Sequence, residues 1–277
     1  MNYTIIKGIF HVAGYSPDGD SIRFEADNPA LWDQFNWSTD KSRKALRKQL
    51  RFEGIDALET HYEESHQPRA FGLAALEIML GMLGITGIKY NLAVTNITEA
   101  KDQTRGCLAV LGLDRFDRPI SLVFAGNVPP ADGASIPFSA PLMKKCVNLQ
   151  LLKMGLAYPT LYDTTPADLS ALFANESKKA RKSKTGLWAL DRTKDFQFLN
   201  TATIVNDVVI LPKLFRRLTT FLLNASDFSE LGDYLKKGGD TIIMRTTGEK
   251  TSLAKLVQIS DRRIQLPIDP EELLFEG

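Results

Sequence analysis

The stretch Arg51-Phe52-Glu53-Gly54-Ile55-Asp56-Ala57-Leu58-Glu59-Thr60 begins as a strand and ends among carboxylates. Alternate residues of a strand point to opposite faces, so Arg51, Glu53 and Ile55 share one face and Phe52 takes the other. The strand is expected over about Leu50 to Ile55, which leaves Asp56 and Glu59 at its exit, where catalytic groups are commonly displayed. Taken alone, such a pair is ordinary surface charge, because exposed carboxylates are the default.

Toward the N-terminus, Tyr3–Ala13 has loose alternation and β-branched and aromatic content, the pattern of a strand. A turn at Ser16-Pro17-Asp18-Gly19-Asp20 leads to a second strand, Ser21–Glu25. Residues 27–46 are irregular, and an insertion is expected at about 26–48. Its basic run, Lys41, Arg43, Lys44, Arg47 and Lys48, reads as a solvated loop rather than a nucleic-acid arm.

Toward the C-terminus, Pro68 can open a helix carrying Leu73, Leu76, Leu80 and Leu83 at helical spacing. Strands are expected over 89–97, 105–113 and 119–124, with Asp114–Arg118 as the hairpin between the last two. A Pro/Gly-rich loop covers 127–138, and a helix opened by Ser139 and Pro141 should end at Gly155. A further helix starts at Thr165-Pro166-Ala167-Asp168 and ends in Lys178, Lys179, Arg181, Lys182 and Lys184, cations that suit a helix C-terminus. Trp188 follows as an anchor onto the core. Beyond Arg192 the texture changes to a β-branched run at 203–211, helices at 214–223 and 230–237, and strands at 240–246 and 253–259.

Composition narrows the class. With 277 residues, 44% hydrophobic and 24% charged, the chain has globular composition and room for one large domain or two modest ones. No apolar run approaches the ~20 residues of a membrane helix. Met1–Gly14 shows no basic flank, apolar stretch and cleavage site in series, so a cytoplasmic protein is expected. Two cysteines, Cys107 and Cys146, make neither a disulfide framework nor a structural zinc site. The balance of 34 basic and 33 acidic residues gives no general attraction for nucleic acid, so any anion site is built from local arginines and lysines.

The chemistry-bearing residues make sense together. Asp20, Asp56 and Glu59 beside Arg115 and Arg118 would combine a hard-cation site with phosphate clamps. Carboxylate oxygens suit calcium or magnesium, the arginine fork suits phosphate, and a carboxylate can take or orient the proton of an attacking water. This is phosphodiester hydrolysis chemistry.

The order of motifs resembles the staphylococcal nuclease (thermonuclease) family over about residues 5–190. The motifs are Asp18-Gly19-Asp20-Ser21, Arg51 through Asp56 to Glu59-Thr60, Asp114-Arg115-Phe116-Asp117-Arg118, Asn148 to Met154-Gly155-Leu156-Ala157, and Glu176 through Lys184 to Gly186-Leu187-Trp188. The resemblance implies an α+β fold: a five-stranded OB-type β-barrel with three helices, occupying 1–192, plus a C-terminal α+β extension at 193–277. It implies Arg51, Glu59 and Arg118 as catalytic residues, and Asp20, Asp56 and the Ala57 carbonyl as ligands of calcium in preference to magnesium. Arg115, Phe116 and Tyr162 are the expected substrate contacts. Tyr158 also lies near the family's nucleotide-facing tyrosines, with Pro159 disturbing the register.

The implied activity is calcium-dependent, sugar-non-specific hydrolysis of DNA or RNA, preferentially single-stranded, leaving 3′-phosphate ends. Three departures stand beside it: Ala57-Leu58 for the family's Thr-Pro, Phe116 for tyrosine, and Asp117 for glycine. Asp117 could pair with Arg118 or point to solvent. The alternative is a weak or inactive nucleic-acid- or protein-binding module of the same fold. A cytosolic nuclease endangers its host, so restraint is expected from low calcium, the insertion, the C-terminal unit or a partner. Residues 193–277 could serve a regulatory or protein partner, for example through Phe215-Arg216-Arg217 and Phe221-Leu222-Leu223, an interface helix or simply core with a solvated edge.

Overall fold

A computed structural model describes residues 2–128, 130–224 and 227–277. The chain runs β1 (Asn2–His11), β2 (Arg23–Ala26), α1 (Asp40–Lys44), β3 (Arg47–Gln49), β4 (Arg51–Phe52), β5 (Ile55–Ala57) and α2 (Arg69–Met82). Next come β6 (Thr86–Tyr90), β7 (Ile97–Lys101), β8 (Arg105–Leu113), β9 (Pro119–Ala125), β10 (Ser135–Pro137), α3 (Ala140–Met143) and α4 (Val147–Lys153). Then follow β11 (Ala157–Pro159), β12 (Leu161–Tyr162), α5 (Ala167–Lys182), β13 (Phe196–Gln197), α6 (Pro212–Asn224) and α7 (Leu231–Lys237). The chain ends with β14 (Thr241–Met244), β15 (Lys250–Ser252), α8 (Leu253–Leu256), β16 (Gln258–Ser260), β17 (Arg263–Gln265) and β18 (Leu273–Phe275). The fold is mixed α+β. Among the described residues no helix is long and apolar enough to cross a membrane.

The chain forms two compact units: residues 1–53 with 74–151, and residues 54–73 with 152–277. Residue 192, where the texture of the sequence changes, lies within the second.

The first unit is built on the strand order β3-β2-β1-β8-β9-β4, with β10 added to β1. β1 presents Tyr3, Ile5 and Phe10 to the interior, where Phe10 meets Phe24 of β2 in a tilted ring contact at 5.1 Å. Residues 47–53 serve both ends of this order. β3 pairs with β2, and the Leu50 and Phe52 N–H groups extend that pairing to Ile22 and Asp20. β4 runs parallel to β9, with Arg51 opposite Ile120, and the Glu53 N–H donates to the Ser121 carbonyl.

The second unit contains the ladders β11-β5, β12-β18-β14-β15 and β13-β17-β16. Its core gathers Leu58, Tyr158, Trp188, Phe215, Phe221 and Phe275. Trp188 is the expected anchor, edge-on to Tyr158 at 4.8 Å. The glycine motifs have a steric reason here. Gly155 and Gly186 both have positive φ, and a Cβ on either would come within about 2.3 Å of the facing backbone carbonyl.

Several expectations need correction. The strand at 50–55 is broken: Gly54 has φ +74°, and β5 begins after it. A Cβ at Gly54 would strike the Phe173 ring, so only glycine makes this bend without displacement. The stretch 27–46 is not irregular throughout, because Asn28 caps a 3-10 helix at Pro29–Gln34 and Thr39 caps α1. The expected strand at 89–97 is the end of β6 and the start of β7 with a hairpin connection at 91–96 between them, held by the Asn91 side chain, which accepts from the Thr95 and Asn96 N–H groups. The helix expected to reach Gly155 is two pieces, α3 and α4. Residues 253–259 are α8 followed by β16. The β-branched run at 203–211 opens as a π-helical turn, Thr203–Asp207, with Ile204 buried. Lys48 is not solvated: it is buried, donates to the Ser42 and Arg43 carbonyls, and lies over the Trp37 ring at 4.4 Å.

Candidate functional site

The sequence-selected residues divide between the two units. Asp20, Arg51, Arg115, Phe116 and Arg118 belong to the first; Asp56, Ala57, Glu59 and Tyr162 belong to the second.

In the first unit, backbone pairing gathers three of them. The Asp20 carbonyl accepts from the Phe52 N–H at 3.0 Å, which brings the Asp18-Gly19-Asp20 turn to β4. Arg51 lies opposite Ile120, two residues beyond Arg118. Buried Asn148 of α4 fixes this junction, because its amide donates to the Glu53 and Ser121 carbonyls and its oxygen accepts from the Val123 N–H. A buried amide with its bonds satisfied in this way holds the strand ends at one spacing.

The β8–β9 hairpin shapes Arg118. Asp114 accepts from the Phe116 and Arg118 N–H groups with one oxygen. With the other it takes Arg118 Nε at 2.8 Å and Nη2 at 2.7 Å. Arg118 is thus a pre-oriented fork, its side chain 36% exposed over a carboxylate that is 7% exposed. Phe116 is 64% exposed, and Arg115 and Arg118 stand at 4.8 and 5.6 Å from its ring centre. Asp117 neither pairs with Arg118 nor points free into solvent. It has φ +60°, a conformation aspartate tolerates better than most residues, and its carboxylate accepts from the Ser38 N–H and Oγ at 2.8 and 2.6 Å. Those bonds, the Ser38 hydroxyl first, hold the Asp117 carboxyl below the usual carboxylate range. The replacement for glycine therefore ties the hairpin to the insertion.

In the second unit the carboxylates converge. Asp56 lies at the centre of β5, opposite Tyr158 of β11, and Ala57 pairs with Ala157. Between Glu59 and α2, Gln67 is fully buried and acts as a clamp. Its side chain accepts from the Glu59 N–H and donates to the Ile210 carbonyl at 2.7 Å, and its own N–H donates to the Glu59 carbonyl. That clamp joins the Glu59 loop to the residues that lead into α6.

α6 then delivers a residue that sequence reasoning did not place in the site. Leu214, Phe215, Leu218 and Phe221 bury one face of the helix. Arg216 turns to the carboxylates: Nη1 donates to Asp56 Oδ1 at 3.0 Å and to Glu59 Oε1, and Nη2 donates to Asp56 Oδ2 at 2.6 Å. The side chains of Arg216, Asp56 and Glu59 are 27%, 8% and 13% exposed. Burial works against the charged guanidinium, but the two carboxylates outweigh it and hold the Arg216 proton more firmly than usual. Tyr62 reinforces the placement, with its hydroxyl 3.1 Å from Thr220 Oγ1 and its ring edge-on to Phe215. Arg217 turns elsewhere and binds Asp240 through Nε and Nη2. The expected solvated edge at Phe215-Arg216-Arg217 is therefore two arginines, each committed to carboxylates.

The tyrosines are similarly engaged. Tyr158 is buried and donates to Asp191 at 2.6 Å. Tyr162 lies in β12 beside β18, half-buried against the Phe275 ring at 6.0 Å.

The donors expected for calcium are hard oxygens, the right chemistry for that ion. As folded they do not fit it. Both Asp56 oxygens accept from Arg216, and a dication beside a guanidinium is repelled. Among the described residues, no group of three or more histidine, cysteine, aspartate or glutamate side chains is gathered as a metal would need.

No curated protein matches this chain. The family model described as staphylococcal nuclease homologue matches residues 49–190. The match starts at the last residue of β3, takes in β4, the Glu59 loop, the Asp114–Arg118 hairpin and the Gly155–Gly186 approach, and leaves Asp20 and α6 outside. It covers just over half of the 277 residues, and the chain belongs to the staphylococcal nuclease homologue family.

Proposed function

We propose that this protein hydrolyses phosphodiesters of DNA or RNA, preferentially single-stranded, leaving 3′-phosphate ends, and that the folded chain holds this activity in check. The observation that carries the reading is the convergence of Asp56 and Glu59 on one cationic group within the second unit; the first unit, taken by itself, presents a carboxylate-oriented Arg118 fork. Family membership supports a nuclease-type role.

The roles follow from side-chain chemistry. Glu59, once separated from Arg216, accepts or orients the proton of the attacking water. Arg51 and Arg118 stabilise the charge that builds on the phosphorus oxygens. Arg115 and Phe116 offer a cation and an exposed ring to the substrate, a combination suited to single strands. Tyr162 is the remaining substrate contact in this reading. Calcium, with Asp20, Asp56 and the Ala57 carbonyl as donors, remains the cofactor we infer for the active form; the docked Arg216 stands against it in the form described.

The double use of residues 47–53 supports reading β3 and β4 as one strand. With β1, β2, β8 and β9 it would make the family's five-stranded OB-type barrel. We take 1–192 as the family domain and 193–277 as its elaboration. The second reading, a binding module, is favoured by one observation: the proposed base Glu59 is already engaged by Arg216.

Cleavage of a fluorogenic single-stranded DNA, with calcium or a chelator, tests the proposal. Slow calcium-dependent cleavage that is lost in Glu59→Ala is expected. No cleavage by folded native protein and by folded Arg216→Gln, at any calcium concentration, would favour the binding module.

A further inference from the structure

We propose that Arg216 is the resident cation of the Asp56–Glu59 pair, and that it and a divalent cation exclude one another there. The guanidinium takes both oxygens of Asp56 and reaches Glu59 as well. One planar fork thereby bridges two carboxylates that would otherwise repel each other, and offsets one of their two charges. A calcium ion on Asp56 needs at least one of the oxygens that Arg216 occupies.

The fold sets where Arg216 is anchored. Phe215 and Leu218, on either side of Arg216, are buried, and Gln67 joins the Glu59 loop to Ile210 just ahead of α6. Freeing Asp56 therefore requires the Arg216 side chain to swing out or α6 to loosen. Through this residue the C-terminal part of the chain sets the state of two residues of the family segment. The competition rests on geometry alone; its consequence, that removing Arg216 releases hydrolysis, rests on the phosphodiesterase reading.

Calcium titration by calorimetry of the full-length native protein, Arg216→Gln, Arg216→Lys and Arg216→Gln/Asp56→Asn tests the competition, with circular dichroism to confirm folding. Native protein should bind calcium weakly. Arg216→Gln should bind at least ten times more tightly, and Arg216→Lys should fall between, because a lysine cannot grip Asp56 with two parallel bonds. Adding Asp56→Asn should abolish the gain. Unchanged calcium affinity in folded Arg216→Gln or in folded Arg216→Lys would overturn the proposal, as would a gain that survives Asp56→Asn. Tighter calcium binding by Arg216→Gln without DNA cleavage would uphold the competition and defeat the phosphodiesterase reading, so the two failures are distinct.

Discussion

Arg118 is gripped by Asp114, four residues before it on one hairpin, whereas Arg216 is gripped by Asp56 and Glu59, 160 and 157 residues away in the chain. The first pairing is local. It uses the Nε–Nη2 edge of the fork and orients the arginine at a partly exposed tip. The second is long-range, engages both Nη atoms, and is enclosed by packed helix and loop. Local pairing presents an arginine, while long-range pairing consumes one.

The largest way to break this contrast is Arg216→Met. It leaves two low-exposure carboxylates without their cation and should cost about 3–5 kcal/mol of stability in calcium-free buffer, as breaking one side of a buried ion pair does. Urea unfolding measures it. Gln67→Leu comes next: the Glu59 N–H and the Ile210 carbonyl lose a buried partner, and a loss of about 1–3 kcal/mol is expected. It should also loosen Arg216, so calcium affinity should rise. Asp114→Ala should cost about 1–2 kcal/mol, since the hairpin loses two backbone bonds along with its ion pair. Its effect on calcium affinity should be nil, which separates the two arginines. Ser38→Ala, which removes the hydroxyl bond to Asp117 and keeps the backbone one at an exposed site, should fall within about 0.5 kcal/mol. The smallest effect is a null: burial pushes the Cys107 thiol up to about 12, so iodoacetamide at pH 8 should leave it unlabelled in folded protein and label it after unfolding.

Much of the first unit was readable because its signals are local. β1, β2, β8 and β9 announce themselves by alternation and turn residues, and the Asp114–Arg118 hairpin falls where the turn chemistry puts it. In the second unit α5 was legible from its start signal and basic last turn, and helices were also expected where α6 and α7 lie. What failed was of two kinds: local side-chain bonds, such as those of Asn91 and the Asn28 and Thr39 caps, and contacts made outside the element itself. The bend at Gly54 is set by Phe173, and the burial of Lys48 by carbonyls of the preceding turn and Trp37. Asp117 was legible as a departure from the family pattern, but its partner Ser38 was not. Arg216 stood out only as a charge between buried apolar neighbours on a helix. Nothing in its local sequence distinguishes a solvated arginine from one committed to Asp56, because the partner lies in another segment of the chain.

The most direct measurement is a double-mutant cycle between Arg216 and Asp56, using Arg216→Gln, Asp56→Asn and the pair, read by equilibrium unfolding in calcium-free buffer. A contact that neutralises and orders both side chains predicts a coupling of at least about 1 kcal/mol, with the double mutant less damaged than the sum of the singles. Additivity within about 0.5 kcal/mol would show that the two residues do not share this interaction in solution and would contradict the account.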